Sequence, residues 1–143
     1  MTISSKELLD MLASAPKQTQ DKVRAQTVDI AGPVDYRLEC ELVRDVLLYL
    51  RARGFLAWRN NTGAVAEEAS GNSKRRFIRY GAPGSGDVFG ILPGGRFISV
   101  ECKVRGRKPT VAQQDWMECI RAAGGVAGVV HDLQELAQLI KGV

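Results

Sequence analysis

The chain has little of the chemistry that builds thiolate-metal sites or disulfides, because its 143 residues include one histidine and three cysteines. The cysteines (Cys40, Cys102 and Cys119) are widely spaced, odd in number and outside any CxxC pattern. These features argue against a structural zinc site or a disulfide framework, and Cys102 and Cys119 are instead predicted to be small core residues. The N-terminus lacks the apolar run of a signal peptide, and no apolar stretch approaches membrane-spanning length. We therefore expect a reduced, cytoplasmic protein with no membrane partner.

A nucleotide-binding loop is also missing from the sequence. The glycine-rich segment 81–86 leads into a predicted strand, not a helix, and no Lys-Ser/Thr pair follows it. It therefore does not fit a Walker loop, and no nucleotide cofactor is expected. Its glycines instead favour a close approach of the backbone beside Asp87.

The chain does contain enough apolar material for one ordinary globular domain, with 45% hydrophobic and 25% charged residues. Residues 1–36 are set apart by their composition. A short helix is predicted at residues 4–13, and a polar arm without periodicity follows it. This arm is either flexible or associated with a partner subunit, and residues 37–143 are predicted to form the globular domain.

Positive charge is concentrated in one part of the chain. The formal net charge is +4, but residues 74–108 alone carry +7, which leaves −3 for the remainder. Such a segment is typical of a surface that binds phosphate backbones, and a solvated charged face is the alternative. The predicted nucleic-acid-binding residues are Lys74, Arg75, Arg76, Arg79, Arg105, Arg107 and Lys108.

Residues 84–104, with the sequence GSGDVFGILPGGRFISVECKV, organise the rest of the chain. They predict two apolar strands joined by a Pro-Gly-Gly turn. If the loop contains three residues, Leu92 faces Arg96, and counting outward places Asp87 opposite Glu101. Like charges opposed in a sheet repel, which indicates a cation between them. A two-residue Gly-Gly loop would shift this register and turn Asp87 to the other face.

The end of the second strand combines an acidic and a basic side chain. Alternation places Glu101 and Lys103 on one face and a core-facing row on the other. Glu-x-Lys alone more often means a surface ion pair, but Asp87 in register and the basic surroundings favour a hydrolytic metal site. Hard oxygen ligands suit Mg²⁺ or Mn²⁺, and Lys103 would hold or help to deprotonate the attacking water. The predicted core row is Ile98, Val100, Cys102 and Val104.

Residues 35–54 predict a helix that Asp35 caps and Gly54 ends. Glu39 lies on its apolar stripe with Val43 and Val46, whereas Glu41 lies on a different face. Glu39 is therefore either an acidic residue favoured by the dipole of the first turn or a third carboxylate aimed at the hairpin.

The remaining elements surround this hairpin. Segment 74–80 is either an edge strand or a DNA-facing loop, and Thr110 caps a later helix with Gln113 at the capping-box position. We predict that Cys119 and Ala123 lie on the inner face of that helix. The resulting order predicts an α/β fold with a mixed sheet flanked by helices. The segments are a strand at 55–59, a loop at 64–73, a helix at 110–123, a strand at 126–130 and a helix at 132–141.

These blocks resemble a VRR-Nuc (virus-type replication-repair nuclease) domain of the PD-(D/E)xK nuclease superfamily. The resemblance runs from Glu39 to about Val130 through ELVRDVLLYLRARG, WRNNTG, the hairpin stretch and TVAQQDWMECIRAAGG. It implies a restriction-endonuclease-like αβββαβ core and metal-dependent phosphodiester cleavage. By motif position, Asp87, Glu101 and the Cys102 backbone carbonyl would bind the metal, Lys103 would be the catalytic lysine, and Glu39 would be the helix carboxylate.

Two positions need separate comment within this resemblance. Gln113 fits the family's helix glutamine better than Gln114 does, yet its capping-box role with Thr110 explains it equally well. The family's usual proline before the acidic residue is replaced here by Gly86, which should leave metal binding intact because proline supplies no ligand.

The resemblance and the residues together predict a structure-specific DNA endonuclease. Single-domain relatives resemble Holliday-junction resolvases in acting as homodimers, and symmetric cutting of a four-way junction needs two sites related by a two-fold axis. The predicted partners are therefore branched DNA and a second copy of the chain. The alternatives are a nuclease acting on flaps or ends and a nucleic-acid-binding module with a vestigial site.

Overall fold

The computed structural model describes residues 34–67 and 76–143, and leaves the side chains of residues 66, 67, 76 and 77 undescribed. The predicted helix and arm at residues 1–33 lie outside this range, as do Lys74 and Arg75. The described helices are α1 (Glu39–Ala52), α2 (Val111–Ala122) and α3 (Leu133–Leu139). The strands are β1 (Leu56–Arg59), β2 (Gly63–Glu67), β3 (Arg76–Tyr80), β4 (Val88–Ile91), β5 (Phe97–Cys102) and β6 (Val126–Val130).

Four strands form a mixed sheet in the order β1-β4-β5-β6. The β1–β4 and β4–β5 pairs are antiparallel, and β5–β6 is parallel because α2 returns the chain to the other end of the sheet. With α1, α2 and α3 packed against it, this sheet confirms the predicted α/β class. In chain order, its strands and the first two helices read α, β, β, β, α, β. Across the described residues, no helix is long and apolar enough to cross a membrane.

The β4–β5 register confirms the three-residue loop. Val88 pairs with Val100, and the Leu92 N–H donates to the Arg96 carbonyl over 2.8 Å. Gly94 and Gly95 both have φ near +80°, the left-handed region that glycine enters without steric cost. One step beyond Val88 and Val100, Asp87 lies opposite Glu101.

The core lies between the sheet and the helices α1 and α3. On β5, Ile98, Val100 and Cys102 are fully buried as predicted, whereas Val104 is half-buried beyond the end of the strand. Other buried core residues are Leu42, Val43, Val46, Leu50, Val88, Leu92, Val130, Leu136 and Ile140. The opposite face of the sheet packs against α2 through stacked Phe89 and Trp116 rings, whose centroids lie 5.9 Å apart.

The predicted start of α1 is wrong. The helix begins at Glu39 after Leu38, which makes no side-chain cap hydrogen bond, so Asp35 does not cap it. Tyr36 explains the difference, because its ring is buried and its hydroxyl donates to Asp45 Oδ2 over 2.9 Å. Burial of this aromatic side chain holds residues 35–38 in an irregular segment in front of the helix.

The predicted inner face of α2 is also partly wrong. Cys119 and Ala123 are exposed, and Met117 is the buried residue of this helix. Trp116 donates its indole N–H to Ser99 Oγ over 2.9 Å, which rotates the helix toward residues 113, 116, 117 and 120. The indole bond and the stacked rings outweigh the burial of two small side chains.

Segment 64–73 was predicted to be a loop, but its first part forms β2. This strand pairs with β3 in a separate two-stranded antiparallel sheet, with Val65 opposite Ile78. Segment 74–80 therefore contains a strand, although it is not an edge strand of the main sheet. The run of small residues in β2 has weak strand propensity of its own, and pairing with β3 decides its conformation.

Candidate active site

Four of the five side chains predicted to act together are joined by direct contacts, and Asp87 is linked to them through the backbone of Cys102. Asp87 immediately precedes β4, Glu101 is in β5, and Lys103 follows β5. Glu39 opens α1, and Gln113 is in the first turn of α2. The four carboxylate and amide groups come from four separate parts of the chain, so only the tertiary fold joins them.

Glu101 is the centre of this cluster and is 2% exposed. Its Oε1 accepts from Lys103 Nζ at 2.6 Å and from Gln113 Nε2 at 2.5 Å. Its Oε2 is buried and has no hydrogen-bond partner. Burial raises the pKa of Glu101 to about 7, although the hydrogen bond from Lys103 opposes that rise. One oxygen of the group is therefore held by the protein, and the other is unsatisfied.

Asp87 is held by the strand that carries Glu101. The Cys102 N–H donates to Asp87 Oδ2 over 2.9 Å. Burial raises the pKa of Asp87, while the Cys102 hydrogen bond and the Lys103 charge lower it in part. The N–H and C=O of a strand residue point to the same edge, so the Cys102 carbonyl is directed to the Asp87 side.

Glu39 reaches the cluster from α1, as the helix phase predicts. Its Oε2 lies 3.9 Å from Lys103 Nζ, and its Oε1 is buried without a hydrogen-bond partner. Glu41 is exposed. Burial alone would lower the pKa of Lys103, but the bond to Glu101 and the nearby carboxylates raise it above its ordinary value. The lysine is therefore held as an ammonium group between two acids.

Gln113 completes a capping box and also contacts Glu101. Its Oε1 accepts from the Thr110 N–H at 2.8 Å, and its backbone N–H donates to Thr110 Oγ1, which completes a capping box. Its Nε2 donates to Glu101 Oε1. Capping holds the amide oxygen and leaves the amide nitrogen directed at the cluster, so the two explanations are compatible.

The backbone before Asp87 is packed too closely for any side chain at position 86. A Cβ added to Gly86 would lie 2.7 Å from Ser99 Oγ and 2.8 Å from the Val100 carbonyl. This packing accounts for the glycine at position 86. The close contact seats the Asp87 segment directly on β5.

The predicted nucleic-acid-binding residues fall into different environments. Arg79 on β3 is exposed, and so are Arg107 and Lys108. Arg105 forms an ion pair with Asp132, and its second nitrogen lies 3.9 Å from Glu135 Oε1. Its guanidinium therefore contacts the acidic residues at the start of α3, although the side chain remains 47% exposed. The Arg76 side chain, with Lys74 and Arg75, lies outside the described set.

The acidic side chains fit a hard cation without forming a closed cage. No group of three or more His, Cys, Asp or Glu residues in the described segments is arranged to hold a metal ion. If a cation binds here, the oxygens nearest to hand would be the carboxylates of Asp87 and Glu101 and the Cys102 carbonyl. Unsatisfied buried oxygens on Glu101 and Glu39 are costly, and a cation or ordered water offsets such a cost.

Asn60 contributes to the site although the sequence analysis does not include it among the site residues. Asn60 follows β1, and its side chain donates to Ser85 Oγ and to the Gly86 carbonyl, each over 2.8 Å. The pairing of Arg105 with Asp132 was also not predicted from the sequence. The one sequence feature that could have indicated the role of Asn60 is its position directly after a predicted strand.

Comparison with known protein families, with curated proteins and with solved structures finds no match for this chain.

Proposed function

We propose that this protein is a divalent-metal-dependent endonuclease that hydrolyses DNA phosphodiester bonds, with a PD-(D/E)xK core of the VRR-Nuc type. The observation that carries this proposal is the opposition of Asp87, directly before β4, and buried Glu101 on β5, with Lys103 bonded to Glu101 at 2.6 Å. A purely structural role does not explain why a sheet places two acids opposite each other and leaves a buried oxygen unsatisfied. The αβββαβ order of the main elements also supports it.

Asp87, Glu101 and the Cys102 carbonyl are the proposed ligands of Mg²⁺ or Mn²⁺. A cation held by these groups would supply Lewis acidity toward a phosphate oxygen and the attacking water. Gln113 holds Glu101 by its Oε1, which leaves Oε2 available as a ligand. The Cys102 N–H similarly holds one oxygen of Asp87. The protein thus fixes both acids before any ligand binds.

Lys103 and Glu39 act on the water and on the phosphate. Lys103 donates one N–H to Glu101 Oε1 over 2.6 Å. The remaining N–H groups can stabilise the charge that develops on phosphate oxygens. Lys103 would therefore hold or help to deprotonate the attacking water. Glu39 Oε1, without a donor, is placed to accept a hydrogen bond from that water.

The proposed substrate is branched DNA cut by a homodimer. Exposed Arg79, Arg107 and Lys108 supply cations for phosphates, and two sites related by a two-fold axis would suit a four-way junction. Flap or end cleavage remains the alternative activity. A vestigial binding module is disfavoured, because Asp87, Glu101 and Lys103 are all present. Lys103 bonds to Glu101, and the Cys102 N–H between them in sequence holds Asp87.

Cleavage of matched DNA forms tests this proposal directly. The full-length protein is incubated with four-way, flap, duplex and single-stranded DNA in Mg²⁺, Mn²⁺ or EDTA. We expect cleavage that needs the metal, strongest on the four-way junction, and none with Asp87→Asn. Glu41→Gln serves as the matched acidic control and should cleave normally. Cleavage at full rate in EDTA contradicts the metal mechanism, whereas DNA binding without cleavage in any metal indicates the vestigial module.

A further inference from the structure

We infer that Asn60 is a positioning residue for Asp87, fixing from the end of β1 the backbone that presents this carboxylate. The inference rests on the proposed function, in which Asp87 binds a divalent cation. It assigns to Asn60 no contact with the metal or with DNA, and its effect passes through the segment 85–87.

Three hydrogen bonds connect Asn60 to three consecutive residues. Its backbone N–H donates to the Asp87 carbonyl over 2.8 Å. Its Nδ2 donates to the Gly86 carbonyl and to Ser85 Oγ, each over 2.8 Å. A primary amide has two N–H donors, and here both have an acceptor. Ser85 and Gly86 are buried, so loss of these donors would leave two buried acceptors unsatisfied.

These bonds act where regular strand pairing ends. The last β1–β4 pair is Arg59 with Val88, so Asp87 lies just outside the ladder. From the other side, Gly86 packs against β5, and Cys102 holds the Asp87 carboxylate. Strand β5 therefore holds the side chain of Asp87, and Asn60 holds its backbone. Removing the Asn60 side-chain amide releases the Gly86 carbonyl and Ser85 Oγ just before Asp87. The backbone bond from the Asn60 N–H to the Asp87 carbonyl and the rest of the sheet stay paired.

The neighbouring Asn61 provides a matched control. It has the same side chain one position along the chain, but it is exposed, whereas Asn60 is half-buried. Substitution of either residue removes the same chemical groups from the same turn. A difference between the two variants therefore reports the contacts of Asn60 and not the loss of an asparagine from this segment.

The test measures metal affinity, not cleavage. Electron paramagnetic resonance measures free Mn²⁺ while the metal is titrated into each protein. The proteins are wild type, Asn60→Ala, Asn60→Asp, Asn61→Ala and Asp87→Asn. The temperature is kept well below the melting temperature that each metal-free protein shows in a separate experiment. Residues that orient metal ligands typically change affinity by 10–100-fold, so we expect Asn60→Ala to weaken Mn²⁺ binding about tenfold. Asn61→Ala should remain within about twofold of wild type. Asn60→Asp keeps the size of the side chain but places a carboxylate oxygen, which cannot donate, against the Gly86 carbonyl. This variant is used in place of Asn60→Ala if the alanine variant does not fold.

The outcomes separate this inference from the proposed function. If wild type binds Mn²⁺ and Asp87→Asn does not, but the folded Asn60 variants bind like wild type, Asn60 has only a structural role and the inference is overturned. If wild type and Asp87→Asn bind alike, or neither binds, the metal site itself is wrong, and both the function and the inference fail. A lower melting temperature for Asn60→Ala with unchanged affinity also counts against positioning.

Discussion

The described residues form two antiparallel hairpins that differ in which side chains they bury. In β4–β5, the charged side chain of Glu101 is 2% exposed. In β2–β3, the apolar side chains of Val65 and Ile78, which pair directly, are 56% and 53% exposed. Proteins usually bury apolar side chains such as Val65 and Ile78 and expose acidic ones such as Glu101. Each hairpin therefore departs from the arrangement that would maximise stability.

Their neighbours explain how the protein tolerates this inversion. The β4–β5 hairpin has β1 on one side, β6 on the other and helices packed against it. Its buried apolar rows offset the cost of burying Glu101 and Asp87. The β2–β3 hairpin pairs only with itself within the described sheets, and a lone two-stranded hairpin is at best marginally stable in water. The β4–β5 hairpin, which carries Glu101, is therefore the one whose packing can offset a destabilising buried acid.

The largest effect should come from removing one of the opposed acids. Asp87→Asn should lower the cleavage rate by at least about a thousandfold, or ~4 kcal/mol in activation free energy, while DNA binding survives. Binding should even strengthen slightly, because a negative charge near phosphate is lost. Single-turnover cleavage and filter binding on the same DNA measure the two effects. Parallel losses of binding and cleavage would mean that Asp87 supports the fold and not the chemistry.

Matched truncations of the two hairpins should differ in stability. Ile98→Ala removes a fully buried side chain from β5 and should cost about 2–5 kcal/mol of unfolding free energy. Ile78→Ala removes an exposed side chain from β3 and should cost less than about 0.5 kcal/mol. Urea denaturation monitored by tryptophan fluorescence measures both values. A large cost at Ile78 would show that the small sheet packs against another part of the protein or a second copy.

Glu101 should make the stability of the metal-free protein depend on pH. Its pKa rises from the ordinary 4.5 to about 7 on folding, so the folded state binds the proton more tightly than the unfolded state. The stabilising contribution is complete below about pH 4.5 and is lost as the pH rises through 7. Between pH 5 and pH 8, Glu101→Gln should therefore gain up to about 3 kcal/mol relative to wild type.

Chemical denaturation of both proteins in EDTA across this pH range measures that difference. Using the difference removes the titrations that both proteins share. Saturating Mg²⁺ should stabilise wild type at pH 8 and leave Glu101→Gln nearly unchanged, because the variant lacks one proposed ligand. Parallel pH profiles in EDTA would mean that Lys103 keeps Glu101 ionised throughout.

The two glutamates in the first turn of α1 provide the next comparison. Glu39→Gln should slow cleavage about ten- to hundredfold, because Glu39 Oε1 lies buried in the cluster without a donor. Glu41→Gln should change the rate less than about twofold, since its side chain is exposed. Rates at saturating DNA and Mg²⁺ measure this contrast. Equal effects for both variants would assign the loss to the helix dipole and not to the site.

Local regularities predicted the parts of the site that depend on them. The Pro-Gly-Gly turn determines the β4–β5 register, which places Asp87 opposite Glu101. Helical rotation of about 100° per residue separates Glu39 from Glu41. Both predictions needed only the spacing of residues within one hairpin or one helix, and the structure confirms both placements.

Longer-range contacts explain what the sequence could not predict. Asp35 is an adequate helix cap by residue type, but the burial of Tyr36 overrides it. Cys119 lies on a plausible apolar face, but the Trp116–Ser99 bond sets a different rotation of α2. The pairing of Arg105 with Asp132 joins residues 27 positions apart, and no local pattern announces it.

That ion pair leads to the smallest predicted effect, which compares two arginines outside the acidic cluster. If exposed Arg79 contacts a phosphate, Arg79→Ala should reduce the slope of log affinity against log salt by about 0.9 and weaken binding a few-fold on every DNA form. Arg105→Ala should change the slope less, because its guanidinium is already paired with Asp132, and should instead lower the melting temperature by loosening α3. Fluorescence anisotropy at several salt concentrations, with Asp87→Asn included to prevent cleavage, measures the slopes. An unchanged slope for Arg79→Ala would mean that Arg79 is a solvated surface residue that does not contact DNA. A reduction of about 0.9 for Arg105→Ala would show that Arg105 leaves Asp132 and binds a phosphate instead.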